Sequence, residues 1–85
     1  MKTQKFILRK ILKEIREQSN IRQLDLATQL KRPQSFVSKY ESGEKTLTFL
    51  EVREVCNVLG LSLYELIDLL EKEINESKPK ISQKP

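Results

Sequence analysis

The segment from Gln23 to Ser42, QLDLATQLKRPQSFVSKYES, constrains the fold more than any other stretch, because two short apolar stripes stand on either side of a break. Leu26, Ala27 and Leu30 lie about one helical turn apart, and Val37 and Tyr40 repeat that spacing further on. Helices of roughly 8 to 10 residues are marginal in water, so each must be held by the other and by flanking helices. Ala27 is small where the second helix has to cross the first; a larger side chain there would push the pair apart. The break, residues 31–34, contains Pro33, which disfavours helical geometry at Arg32 but is tolerated where a new helix begins. Gly43 follows the last periodic residue, where a left-handed residue commonly ends a helix.

This spacing predicts a helix-turn-helix, whose second helix has the geometry to enter the major groove of DNA. Flanking segments supply the rest of a bundle. From about Lys5 to Gln18, Leu8, Leu12 and Ile15 make one stripe with Ile7 and Ile11 beside it. Phe6 and Ile7 widen that face beyond what a small core needs, and are expected on the last helix or against a partner. Thr48 with Glu51, and Ser62 with Glu65, have the spacing of capping boxes at the starts of a fourth and a fifth helix, with Gly60 between them. Eighty-five residues allow one core. The expectation is an all-α, compact five-helix bundle over residues 1–74, followed by a disordered polar tail, NESKPKISQKP, over 75–85.

Across several helices at once, the pattern resembles the phage repressor and Cro family, a lambda-repressor-like fold often called XRE-like. The matching residues are Leu26-Ala27, Leu30, Gln34-Ser35, Val37-Ser38, Tyr40-Glu41 and Gly43, with Arg16 upstream and Leu59-Gly60-Leu61-Ser62-Leu63 downstream. The resemblance spans roughly residues 8–66. Three turn residues depart from it: Lys31 replaces a usual Gly, Arg32 a small hydrophobe, and Pro33 a Ser or Thr cap. A left-handed Lys31 would cost about 1 kcal/mol. The resemblance implies a DNA-binding regulator, and a salt bridge from Arg16 to Glu41 that fixes the recognition helix against the first helix.

With Val37 and Tyr40 pointing inward, Gln34, Ser35, Ser38 and Lys39 face the solvent or a groove and are the candidates for base edges, Gln34, Ser35 and Lys39 by what the resemblance implies. Gln can bond adenine in a bidentate manner, Lys can donate to guanine, and Ser can donate or accept. Phe36 has two readings, contact with a thymine methyl or core beside the turn. Backbone contacts are expected from Arg16, Arg22, Gln23, Arg32, Ser42, Lys45 and Thr46. The charge supports this side as the polyanion face. Residues 1–45 hold 11 Lys/Arg against five Asp/Glu, residues 46–74 two against six, and residues 75–85 three against one.

One such unit reads few base pairs, so a two-fold dimer on double-stranded DNA is expected. Its candidate surface is Leu61, Leu63, Tyr64, Ile67 and Leu70, with Leu50 beside them. A second reading of the same chain is an antitoxin-type module that binds a toxin partner as well as operator DNA. The one cysteine, Cys56, lies on an apolar face, and there is no histidine. That composition argues against metal, cofactor and enzymatic roles, and no apolar run is long enough for a membrane, so a cytoplasmic protein is expected.

Overall fold

The computed structural model describes residues 3–77, which form five helices: α1 (Gln4–Gln18), α2 (Gln23–Leu30), α3 (Gln34–Ser42), α4 (Phe49–Leu59) and α5 (Leu63–Ser77). Side chains close most of their starts. Thr3 Oγ1 accepts the Phe6 N–H at 3.1 Å, and the Asp25 carboxylate reaches back to the Arg22 N–H at 3.2 Å. Both expected capping boxes form. The Thr48 N–H donates to Glu51 Oε1 at 2.9 Å while Thr48 Oγ1 accepts the Glu51 N–H at 3.2 Å; Ser62 and Glu65 repeat this at 2.9 and 3.0 Å.

The turn between α2 and α3 carries the expected strain. Lys31 ends α2 in the left-handed region (φ 59°, ψ 44°), its N–H donates to the Thr28 carbonyl, and the Arg32 N–H donates to the Ala27 carbonyl, each at 3.0 Å. Two hydrogen bonds hold a lysine where glycine would be unstrained. Pro33 then sets φ at −67° just before α3.

The core gathers Ile7, Ile11 and Leu12 from α1, Leu26 and Ala27 from α2, and Phe36, Val37 and Tyr40 from α3. Val52, Val55 and Cys56 from α4 and Leu66 from α5 complete it. Ala27 is wholly buried, as the close crossing of α3 over α2 requires. Burial of each larger side chain contributes roughly 1.5–3 kcal/mol.

Two sequence expectations need correction. The buried stripe of α1 centres on Ile7, Ile11 and Leu12, while Leu8 and Ile15 are only half-buried; Ile7, expected to be surplus, is 3% exposed. Periodicity gives the width of an apolar face but not its centre. Here α5 lies along α1, with Lys10 Nζ 3.4 Å from Glu73 Oε1, and turns the face toward Ile7. Second, α5 runs on to Ser77, so 75–77 belong to the helix and not to the tail; the remainder of the expected tail, 78–85, lies outside the described residues.

Candidate nucleic-acid interface

The two faces of α3 differ in chemistry along its whole length. Phe36, Val37 and Tyr40 are buried, whereas Gln34, Ser35, Ser38 and Lys39 are exposed. Of the two readings of Phe36, the structure selects core: it is 8% exposed and meets Tyr40 edge to face, with centroids 5.9 Å apart.

A polar chain runs behind this helix. Arg16 Nε donates to Glu41 Oε2 at 2.7 Å and Nη2 to Oε1 at 3.1 Å, a two-pronged fork between α1 and the end of α3. Arg16 Nη1 donates to the Ile21 carbonyl at 2.7 Å, tying in the loop before α2. Gln23 Nε2 donates to Glu41 Oε1 at 2.9 Å, and Gln34 Nε2 lies 3.5 Å from Gln23 Oε1. Arg16 of α1 and Gln23 of α2 thus meet on one carboxylate of α3, and Gln34 reaches that carboxylate only through Gln23. Arg16 is 7% exposed, with its donors on Glu41 and the Ile21 carbonyl, and half-buried Gln23 donates to the same Glu41 carboxylate.

Other basic residues expected at the phosphates have carboxylate partners in this structure. Arg22 forks onto Asp25 with two contacts of 2.9 Å, and this partnership, together with the backbone N–H of Arg22, holds the Asp25 carboxyl below its ordinary range. Arg32 lies 3.2 Å from Glu54 and 3.6 Å from Glu51, its guanidinium 4.5 Å over the Phe36 ring. Lys45 Nζ approaches the same ring at 5.4 Å and Glu51 at 3.2 Å. The two cations therefore bind α4 to the helix-turn-helix instead of pointing clear of it. Ser42 Oγ donates to the Lys39 carbonyl at 3.1 Å, and Thr46 is exposed. Nothing in the local pattern indicates that α1 also brings Lys5 and Arg9 to the loop 43–47. A basic pair four residues apart looks like any solvated face until its helix is positioned.

This arrangement offers a polar recognition helix on a rigid support, and similarity to known proteins is decisive. The helix-turn-helix family model matches residues 12–66. An XRE-family-like protein from Pseudomonas syringae pv. tomato is 38% identical, covers 82% of this chain and 85% of its own, and superposes with a TM-score of 0.78. The chain belongs to the XRE family of helix-turn-helix proteins. It is accordingly a DNA-binding transcriptional regulator. Two more distant structures share the XRE-type fold. A tyrosine-to-alanine variant of the restriction-modification controller protein C.Esp1396I superposes with a TM-score of 0.83 at 22% identity, covering 91% of this chain and 100% of its own. The clp gene regulator ClgR from Corynebacterium glutamicum gives 0.78 at 19% identity, covering 88% and 80%. None of the curated proteins matches the chain in sequence.

Away from the XRE recognition helix, the α4–α5 side exposes apolar surface. Tyr64 is 84% and Ile67 50% exposed, and Leu50 stands 65% exposed beside Phe49 at 69%. Leu61, Leu63 and Leu70 are half-buried against the core, and Leu61 and Leu63 line an open groove with Tyr64 and Ile67. Phe49 opens α4, so no periodic partner upstream marks it in the sequence. That groove, of about 480 Å³, runs past Arg53, Asn57, Leu61, Tyr64 and Ile67, with buried Cys56 at its floor. Burial raises the Cys56 thiol to about 11, so it stays protonated at neutral pH. Among the described residues, no helix is long and apolar enough to cross a membrane.

Proposed function

We propose that this XRE-family regulator is a cytoplasmic homodimer that reads an operator in the major groove with Gln34, Ser35, Ser38 and Lys39, and acts as a small repressor or a controller of its own promoter. The observation that carries the reading is the contrast on α3. Its inner face is fixed by buried apolar residues and by the Arg16–Glu41–Gln23 chain, while its outer face presents only polar, exposed side chains. Such a helix can enter a groove without first giving up packing.

Backbone contacts fall to residues around the helix. Arg22, Arg32 and Lys45 exchange their carboxylate partners for phosphates, and Ser42 and Thr46 offer hydroxyls at the far end. Tyr64, Ile67, Phe49 and Leu50 supply the surface for a second copy, which sets two recognition helices about one turn of DNA apart.

The test is selection of bound fragments from the source genome, followed by footprinting on the enriched sequence and a reporter fused to the chain's own promoter. A two-fold repeated site with half-sites one turn apart is the expected result. Enrichment of no sequence over random fragments refutes base reading. Sedimentation at micromolar concentration that shows only monomer, with and without the enriched site, refutes the dimer.

A further inference from the structure

Where the start of α1 meets the loop after α3 there is a small cleft of about 70 Å³. Its walls are Lys5, Leu8 and Arg9 of α1, Tyr40 of α3, and Gly43, Lys45, Thr46 and Leu47 of the loop. Three of these eight residues are cationic and none is a carboxylate. Lys45 is partly neutralised by Glu51, but no carboxylate pairs with Lys5 or Arg9 among the described residues. Three like charges around one opening repel one another unless an anion lies between them.

Two further observations point the same way. Gly43 has φ 92°, and a Cβ built there would come within 2.7 Å of Arg9 Nη1, so glycine both ends α3 and lets the guanidinium lie against the backbone. Tyr40, in the wall of the cleft, is 1% exposed and its hydroxyl has no hydrogen-bond partner among the described residues. Burial holds that phenol protonated, which makes it a donor without an acceptor. A basic rim beside a glycine that admits the Arg9 guanidinium suits a group that is negative and accepts several hydrogen bonds.

We propose that this cleft seats a phosphate-type oxyanion, supplied by the DNA backbone when the protein is on DNA, with Arg9 as its principal ligand. The second half rests on the DNA reading above. A cleft beside the loop that follows α3 lies next to the recognition helix, where the strand bordering the major groove passes.

The test uses the full chain and Arg9→Ala, with Lys72→Ala on α5 as a charge-matched control. Inorganic phosphate is titrated while the amide signals of Gly43 and Thr46 are followed, and a random-sequence duplex is titrated over a salt series. The expected result is a saturable shift of both amides in the parent and in Lys72→Ala but not in Arg9→Ala. On the duplex, Arg9→Ala alone gives a salt slope shallower by about one unit. Loss of the phosphate response with an unchanged slope overturns the DNA half and assigns the seat to a free anion. Responses to phosphate and to duplex that are both indifferent to Arg9 overturn the proposal. If the parent binds no duplex, the DNA reading itself has failed, and the phosphate titration still decides the seat. A Tyr40→Phe chain with weakened phosphate response places the hydroxyl among the ligands; an unchanged response removes it.

Discussion

Two clusters of ion pairs join α3 or its turn to a neighbouring helix, and they differ mainly in their access to water. Arg16 and Glu41 form one, with side chains 9% and 3% exposed. Arg32 with Glu51 and Glu54 forms the other, at 34%, 15% and 50%. The chemistry is the same in both, yet the consequences are opposite. A buried fork has paid its desolvation in full and cannot be opened from one side without leaving a bare charge inside; a wet pair exchanges partners at small cost. The first therefore fixes the recognition helix, and the second leaves cations that a phosphate can recruit.

The largest expected effect comes from breaking the buried fork on one side. Glu41→Ala strands the Arg16 guanidinium and removes the acceptor of Gln23, and should lower stability by about 3–5 kcal/mol in urea denaturation. Replacing both partners, Arg16→Met with Glu41→Leu, should cost far less. A loss for Glu41→Ala no greater than a surface pair's, about 0–1 kcal/mol, would erase the distinction between the two clusters.

Next come the residues that the fork positions. Gln34→Ala or Lys39→Ala should weaken binding to the selected operator by about 1–3 kcal/mol, with a smaller loss on random duplex and stability within about 0.5 kcal/mol of the parent. Equal losses on both duplexes would show that these side chains touch only the backbone.

What the sequence made legible divides along the same line. The faces of α3 were readable because Val37 and Tyr40 keep helical spacing and the residues between them are polar. The capping boxes were readable because each needs only residues three apart. Arg16 and Glu41 were expected together from family resemblance alone, since 25 residues of separation leave no local trace. The partners of Arg32 and Lys45 were not readable at all. A sequence gives the sign of a charge, and only the packing of α4 against the turn brings Glu51 and Glu54 within reach. The centre of the α1 stripe failed for the same reason, because it depends on where α5 lies.

The wet cluster gives the third prediction. Arg32→Ala should cost about 0–1 kcal/mol of stability, since exposed pairs contribute little and the stacking over Phe36 adds only a modest amount. On DNA its effect should be uniform across sequences and should flatten the salt slope. A large stability loss with no change in slope would make Arg32 a structural residue like Arg16.

The smallest effect lies in acid, and it separates the clusters by their protons. Glu51 stands where the wet cluster meets a helix start, and the Thr48 N–H, then Lys45 and Arg32, hold its carboxyl below the ordinary range against some desolvation. A carboxyl with a depressed folded value is ionised in both states near neutral pH, so its contribution is complete there. It begins to fade as the unfolded chain takes up protons, near pH 4, and is gone once the pH has fallen through the folded value. Asp25, held low first by the Arg22 side chain, follows the same course. Denaturation midpoints should therefore be level from about pH 7 to pH 5 and decline below about pH 4, with a shallower decline in Glu51→Gln. An identical acid slope in that variant would mean that the Thr48–Glu51 cap holds its geometry without holding charge, and the wet cluster would then owe its place to Arg32 stacking on Phe36.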